Sequence, residues 1–533
     1  MASIPKVPSI PEEERTPLVT TLLEIIQLQQ EQIQALRDEV AQLKGNKPKP
    51  DIKPSRLEDS ESPQDPNPGQ RPGSSKRSKT GEIQIHETKV LKADHVPEGS
   101  TFKGYQDYTV QGLEFKSHNI LYRRERWQTP QGEFLVAPLP QEVEVLGGHF
   151  DRSLISFVLY QYYQAHVTQP LILEELREIG VDISAGQVNR IITEGHDRFH
   201  KEKDDILRAG LEVSGHVNVD DTLARHQGKN GYCTHIGNEF FAWFQSTQSK
   251  SRINFLELLR AEHKDYVLGT EALEYMRANH LSQEFLDRLG AHEQKTFADE
   301  TQWKAALAVW GITDPRPVRI ATEGALLGSV LEHGVNPGLV IVSDDAGQFN
   351  ILRHALCWIH AERTINRFVG FNEEQRAALK DIRSQIWEYY QELKAYKEVP
   401  SVDTKTVLEK RFDEIFTTQT CFATLNQALG RLHKNKAELL LVLDRPDIPL
   451  HNNTSENDIR DYVKKRKISG STRSDLGRQC RDTFASLKKT CRKLKISFWQ
   501  FLNDRLSGQA TIPPLSEIIR VHAQIRSCTA LGP

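Results

Sequence analysis

Three acidic residues that lie far apart in the chain have sequence surroundings suited to holding metal ions. Asp220 ends the apolar segment "HVNVD", Asp344 follows the apolar run "LVIVS", and Glu456 stands in "HNNTSEND", just before a strongly basic stretch. Acids at the ends of adjacent buried strands repel one another and lose solvation, and divalent cations relieve both costs. Two Mg²⁺ ions about 4 Å apart, held by such hard oxygen ligands, promote phosphoryl transfer. The pattern therefore predicts catalytic and metal-binding roles for Asp220, Asp344 and Glu456.

Each acid also has an ordinary structural explanation. Aspartate at a strand end often forms a turn or caps a helix, and Glu456 alone would be a first-turn acid favoured by the helix dipole. Asp221 and Asp345 complete two acidic doublets and can share or take the roles of Asp220 and Asp344. The stretch "NNTSEND" supplies helix-capping residues and predicts a helix with Glu456 in its first turn.

The segments around the aspartates predict a mixed α/β core. A first strand ends at "NVDD", "GKNG" turns the chain into a second strand at 232–236, and a Gly-Asn turn leads to a third at 240–244. Much later, residues 339–342 form a short buried strand that delivers Asp344 to its carboxyl end. A three-strand meander, a helical stretch and an apolar strand ending in Asp is the order of a ribonuclease-H-like fold.

Composition favours a soluble protein of several domains. The chain has 533 residues, of which 38% are hydrophobic and 26% charged. We find no run approaching the roughly 18 apolar residues of a membrane helix and no secretory signal. The six cysteines are scattered, as expected of reduced thiols in a cytoplasmic protein. We expect no membrane partner.

The net charge is only −3, but residues 460–505 form a local cationic run. Phosphate backbones require such a footprint. The alternative is an ordinary solvated helix face. The first explanation predicts phosphate contacts by Lys464, Lys465, Arg466, Lys467 and Arg473.

A helix-turn-helix pattern is evident in "LILEELREIGVDISAGQVNRIITEG". Gly180 supplies the turn, Ser184 caps the second helix, and apolar residues on both helices pack together. The second helix would present Gln187, Asn189 and Arg190 to DNA. A plain helical hairpin gives the same pattern.

The remaining regions differ sharply in character. Residues 18–44 show the heptad repeat of a coiled coil, with a single polar Gln29 in the seam. In the helical region, Trp387, Tyr389 and Tyr390 can stack on an unpaired base or pack internally. The predicted order is a disordered N-terminus at 1–17, a coiled coil at 18–44, a flexible linker at 45–82, a small β module at 83–140, a helix-turn-helix domain at 149–210, the catalytic core at 211–370 and 446–510, a helical insertion at 371–445, and a tail at 511–533.

These stretches resemble the bacterial DDE transposases of the insertion-sequence 66 family. The likeness is carried by "VDDT", by "SDDAGQF" with "LCWIHAERTINRF", and most specifically by "LHNNTSENDIRDYVKKRKISGSTRSDLG". The N-terminal coiled coil and polar linker also match the family's usual opening. One departure stands out, because many relatives have a cysteine-rich zinc module where residues 83–140 contain no cysteine.

The resemblance implies a ribonuclease-H-like core that uses two Mg²⁺ ions, with Mn²⁺ as a substitute. It implies binding of the element's terminal inverted repeats, cleavage that frees a 3′-hydroxyl, and transfer of that end to target DNA near the bacterial nucleoid. Cys357 and His360 would support the site without zinc, and Asn452 and Asn453 would position Glu456 or DNA. The coiled coil would form a homodimer, and accessory element-encoded proteins are expected partners.

Two other functions fit the same residues. A ribonuclease-H-like nuclease would cut DNA without joining it. A DNA-binding regulator derived from a transposase would need no activity, so Glu456→Gln would leave its function intact.

Overall fold

The computed structural model describes residues 149–530, most of 85–140 and scattered positions between 16 and 29. The linker and coiled-coil positions 33–43 lie outside the described residues, and Leu22 and Ile26, within the predicted coiled coil, are helical and exposed. Contacts divide the chain into a large unit, residues 1–55 and 120–533, and a small one, residues 56–119. In the part that is described, no helix is long and apolar enough to cross a bilayer, and the cysteines with described side chains are free thiols.

The predicted β module is reduced to one hairpin. Strands β1 (Arg126–Gln128) and β2 (Phe134–Val136) pair antiparallel, and Gly132 takes the left-handed φ of +88° that its turn requires. The "TPQGE" turn is therefore confirmed. Elsewhere in the described part of 85–140 no strand forms, and the strand side chains are exposed because nothing packs over so short a hairpin.

Four helices form the region predicted to contain the helix-turn-helix. Gly180 makes the turn with φ +81°, and Ser184 and Gln187 form a reciprocal capping box. Leu176 on one helix and Val188 on the next are fully buried, so the two-helix pattern is confirmed. The helices are α1 (Arg152–Leu159, continued by a π-helical turn Tyr160–Gln164), α2 (Gln169–Glu178), α3 (Ala185–Thr193) and α4 (Asp197–Val213).

A five-stranded mixed sheet forms the centre of the large unit. Its strand order is β5-β4-β3-β8-β9, with the meander β3-β4-β5 antiparallel and β3, β8 and β9 parallel. The meander and the apolar strand β8 confirm the predicted α/β order. The predicted end of the first strand at "NVDD" is wrong, because β3 continues to Leu223 and Asp220 lies within it. Strand β9 was not predicted. The strands are β3 (His216–Leu223), β4 (Tyr232–Gly237), β5 (Ala242–Thr247), β8 (Val340–Ser343) and β9 (Arg353–Leu356).

Between β5 and β8 the chain forms a mostly helical segment on the same core. A fully buried face of α9 packs against α5 and α6 and leads into β8. The elements are α5 (Arg252–Leu259), β6 (Tyr266–Val267), α6 (Thr270–Ala278), α7 (Gln283–Ala291), β7 (Thr296–Phe297), α8 (Glu300–Val309) and α9 (Pro315–Glu332).

The predicted insertion at 371–445 is helical, and its apolar core is continuous with apolar residues of β8 and β9. Tyr389 and Tyr390 are fully buried in it, so these two rings pack internally and cannot stack on a base. The insertion's ends are neighbours, because the Trp358 amide donates to the Leu450 carbonyl at 2.9 Å. The helices are α10 (Trp358–Asn366), which precedes the predicted insertion, and then, within it, α11 (Glu373–Glu398), α12 (Val402–Phe416), α13 (Ala423–Lys434) and α14 (Lys436–Leu439).

The last part of the chain returns to the sheet as four helices. The region predicted as a tail contains a helix whose Leu515 and Ile519 are fully buried against α4. The tail prediction is wrong because "PPLSEIIRVHAQI" has an apolar face that the core covers. The helices are α15 (Asn453–Ser469), α16 (Asp475–Lys493), α17 (Phe498–Ser507) and α18 (Leu515–Ala530).

Candidate active site

The parallel strands β3 and β8 bring Asp220 and Asp344 close together. Strands β3 and β8 are parallel and pair Asn218 with Val342, so the same offset sets Asp220 beside Asp344 two residues further on. Burial raises the pKa of Asp220 well above its usual range, and the charge of Asp344 adds to the rise. Two acids that lie far apart in the sequence are therefore neighbours at a position that water solvates poorly.

Within each acidic doublet, the two aspartates have different surroundings. Asp221 accepts hydrogen bonds from the Thr234 hydroxyl at 2.5 Å and the Gln348 amide at 2.9 Å. Asp345 is exposed and accepts from Asn435 of the insertion at 3.4 Å. Because successive strand residues point to opposite faces, Asp220 and Asp221 cannot meet the same ligand in the same way. The geometry favours Asp220 and Asp344.

Helix α15 lies over the face of β3 that carries Asp220. The Asn452 side chain accepts from Asn218 Nδ2 at 2.9 Å and donates to the Val219 carbonyl at 2.8 Å. One turn later, Ser455 hydrogen-bonds to His235 at 2.7 Å, the residue paired with Asp220 across the sheet. Asn452 is the N-cap residue of α15, but its side chain fastens the helix to β3 instead of capping it.

Glu456 lies in the first turn of α15, as predicted. Arg363 of α10 donates to both carboxylate oxygens, at 2.8 and 3.3 Å, and Arg460 lies 3.5 Å away. Burial alone would raise the pKa of Glu456, but Arg363 and the nearby His360 outweigh it and lower the pKa. Glu456 is therefore a carboxylate whose orientation is set by α10.

Arg363 was not foreseen from the sequence. The signal was present in "CWIHAER", where His360 and Arg363 stand three residues apart and so lie on one helix face. Arg363 Nη1 lies 3.2 Å from His360 Nε2. His360 in turn lies 3.8 Å from Glu456 and is close enough to feel the charge of Asp344.

Cys357 connects the segment that follows Asp344 to the segment that precedes Glu456. It is the N-cap residue of α10, and its sulfur accepts a hydrogen bond from the Asn452 amide at 3.2 Å. Burial raises the pKa of Cys357 to about 12, so it is a neutral thiol. Burial likewise lowers the pKa of His360. These contacts join α10 to the beginning of α15, and the supporting role of Cys357 and His360 in catalysis stays a prediction.

The donor set fits a divalent cation, although it is not a closed ligand cage. Asp220 and Asp344 present hard oxygen ligands whose mutual repulsion a cation would relieve. Glu456 is occupied by Arg363, and among the described residues the acids do not form a group of three with ligand atoms within 4.8 Å of one another.

The predicted phosphate contact by Lys465 is wrong. Only 4% of this residue is exposed, and its ammonium donates to the Tyr162 carbonyl at 2.6 Å. Burial lowers the pKa of Lys465 to about 7, and the nearby Arg481 and Lys488 contribute. Its sequence neighbours differ: Arg466 is partly buried and donates to Thr222, whereas three other predicted contacts are exposed: Lys464, Lys467 and Arg473.

Much of the cationic run faces inward. Lys493 pairs with Asp458 at 2.9 Å, Lys488 with Asp461 at 2.8 Å, and Arg505 with Glu202 at 2.7 Å. Neither explanation offered by the sequence, a DNA footprint or a solvated face, describes these residues. They neutralise acids within the core.

The three predicted recognition residues of α3 are not equivalent. Asn189 and Arg190 are exposed. Gln187 is partly buried, and its Oε1 accepts the Ser184 amide at 2.8 Å in the capping box. α3 packs on α16, where the Cys480 thiol donates to the Thr193 carbonyl at 3.5 Å. The surface left for a ligand is therefore narrower than predicted.

Comparison with known proteins identifies the family. A family model described as Transposase IS66 family matches residues 325–480, a range that contains Asp344, Arg363 and Glu456. A protein of Sinorhizobium fredii, named uncharacterized protein y4jO, is 43% identical over 322 residues, which cover 60% of this chain and 100% of the relative. The chain belongs to the IS66 family of transposases.

Proposed function

We propose that this protein is a DNA transposase that cleaves the 3′ ends of its element and joins them to target DNA. The observation that carries the proposal is the closeness of Asp220 on β3 to Asp344, which directly follows the parallel strand β8, with Glu456 on the helix packed over the same face of β3. The strand order, three antiparallel strands followed by two parallel ones, supports a ribonuclease-H-like core.

Asp220, Asp344 and Glu456 would hold two Mg²⁺ ions, for which Mn²⁺ would substitute. Bound there, the ions supply charge neutralisation and activation of the attacking oxygen in phosphodiester displacement. The chain's own contribution is orientation. Asn452 fastens α15 beside Asp220, and Arg363 keeps Glu456 ionised and fixed in direction.

DNA would be bound on surfaces separate from the acids. The exposed Lys464, Lys467 and Arg473, with the partly buried Arg466, are suited to phosphates. Asn189 and Arg190 would contribute to recognition of the terminal inverted repeats. Dimerisation through the coiled coil would pair two ends, and accessory element-encoded proteins would complete the assembly at the nucleoid in the bacterial cytoplasm.

The test is cleavage and strand transfer by the purified full-length protein. The substrates are labelled duplexes taken from the two ends of its own element, with Mg²⁺ and any accessory proteins the element encodes. We expect released 3′ ends and joined products from the wild type, and neither from Glu456→Gln, with DNA binding retained. Asp345→Asn is the matched control, because Asp345 is exposed and bonded to the insertion.

The outcomes separate the rival functions. Cleavage without joining, even from a pre-cleaved end, would identify a nuclease. Transposition in cells that survives Glu456→Gln would identify a regulator and overturn the enzymatic proposal.

A further inference from the structure

A second group of metal-ligand side chains lies away from the acids of the active site. His263, Asp265 and His333 each offer one ligand atom, and these atoms all lie within 4.8 Å of one another. Two ligands on one Zn²⁺ ion, at bond lengths of about 2.1 Å, stand roughly 3.4 Å apart in a tetrahedral arrangement. The three ligand atoms are thus close enough to converge on one ion once an imidazole ring rotates out of the parallel stack that His263 and His333 form.

Two separate chain segments contribute to this group. His263 and Asp265 come from the loop between α5 and β6, and His333 is the C-cap residue of α9. In the loop, Ala261 and Glu262 both have left-handed φ, +48° and +76°. Such a conformation is costly for residues other than glycine and persists where surrounding structure enforces it. The loop is held in an unusual shape that presents His263.

The side chains contact one another directly. The imidazole rings of His263 and His333 stack with centroids 3.4 Å apart and planes 3° from parallel. His333 Nε2 lies 2.9 Å from both carboxylate oxygens of Asp265. The Ser329 hydroxyl, fully buried one turn earlier on α9, donates to Asp265 at 3.0 Å. Ser329 thus orients Asp265 in the way that outer-sphere partners orient metal ligands.

The local electrostatics suit a cation with nitrogen ligands. The C-terminus of α9 carries partial negative charge from its carbonyl groups, and Asp265 adds a full one. Two imidazoles favour Zn²⁺ over Mg²⁺, which prefers oxygen ligands.

We propose that His263, Asp265 and His333 form a Zn²⁺ site that joins the α5–β6 loop to the end of α9. Helix α9 leads into β8, at whose end Asp344 lies. The site would therefore stabilise the segment that supports one side of the sheet. Three protein ligands leave a fourth position for water, which a tetrahedral Zn²⁺ ion accepts.

The test is Zn²⁺ binding by the tag-free full-length protein, measured with ZnCl₂ in competition with a chromophoric chelator. We expect one equivalent bound by the wild type, lost in His263→Ala and in His333→Ala. Ser329→Ala should weaken binding by roughly 10–100-fold. His280→Asn is the matched control, because His280 is an exposed histidine at φ +63°, which asparagine tolerates.

Asp344→Asn distinguishes the Zn²⁺ site from the active site, because this variant should still bind one equivalent of Zn²⁺ while losing catalysis. Circular dichroism checks that each variant folds, and Asp265→Asn serves as a further variant should either histidine variant unfold. The proposal is overturned if the folded wild type binds no Zn²⁺, or if folded ligand variants bind as much as His280→Asn.

Discussion

Two groups of acids lie close to the beginning of α15, one on the helix itself and one on the adjacent sheet, and their charged partners differ. Asp458 and Asp461 are paired with lysines of α16, at 2.9 Å to Lys493 and 2.8 Å to Lys488. Asp220 instead has another acid, Asp344, as its main charged neighbour. Burial alone would raise the pKa of Asp458, yet hydrogen bonding to His235 and the charge of Lys493 lower it to about 2.

This difference distinguishes an acid with a structural role from an acid suited to binding a metal ion. Both groups contain partly buried acids, so burial is not the distinguishing property. An acid with a protein cation beside it completes its own neutralisation, whereas a pair of acids side by side requires a charge from outside the chain. The predictions below test this contrast.

Asp344→Asn should give the largest effect. Removing an acid that holds the catalytic ions should slow DNA cleavage by about 1000-fold or more, because metal stabilisation of the transition state amounts to several kcal/mol. Single-turnover cleavage of an end-containing duplex measures the rate. Asp345→Asn, one residue away, should stay close to the wild type; equal losses in both variants would mean that the doublet shares the role.

Asp458→Ala should cost about 3–5 kcal/mol of unfolding free energy, because it leaves the partly buried lysines beside it without their partner. Urea unfolding in EDTA, followed by circular dichroism, measures the loss. Asp220→Asn is the contrasting variant and should be as stable as the wild type or more stable. A large loss of stability in Asp220→Asn would contradict the view that its charge is uncompensated.

Arg363→Ala should lower cleavage by roughly 10–100-fold, the usual effect of losing a residue that orients a metal ligand. The required Mg²⁺ concentration should rise as well, because Glu456 loses the partner that fixes its direction. Arg363→Lys should recover part of the activity. Arg367→Ala is the control, since Arg367 is exposed at the end of the same helix; equal behaviour of the two alanine variants would remove Arg363 from the site.

The smallest effect concerns pH. The pKa of Asp220 is raised in the folded state, so the metal-free protein holds that proton more tightly than the unfolded chain and loses stability as the pH rises. Asp220→Asn lacks this proton, so its stability advantage in EDTA should grow between about pH 4, the ordinary pKa of an aspartate, and neutral pH. Thermal unfolding of both proteins across that range measures it, and parallel pH profiles would count against the idea.

Patterns local in sequence predicted the elements well. The strand and turns around "NVDD", the apolar run "LVIVS", the glycine turn at Gly180 and the capping residues before Glu456 each depend on neighbours within a few positions. The helix-turn-helix and the insertion followed for the same reason. The strand β9 was missed, because "RHAL" has too few residues for a period to be read.

Residue roles that depend on tertiary contacts could not be predicted from the sequence in the same way. A lysine run reads alike whether it faces solvent or core, so Lys465 was taken for a DNA contact although it lies beneath Tyr162. Arg363 lies 93 residues before its partner, and His333 lies 68 residues after Asp265. Neither pairing follows from spacing along the chain.

The hydrogen bond between the Trp358 amide and the Leu450 carbonyl joins the two stretches of chain that flank the insertion. Since its two ends already touch, the intervening helices can be lengthened or shortened among relatives at little entropic cost to the sheet. Helix α10, which precedes the insertion, carries Arg363. A movement of α10 would reach Glu456 through Arg363 and His360, the two side chains of that helix beside its carboxylate.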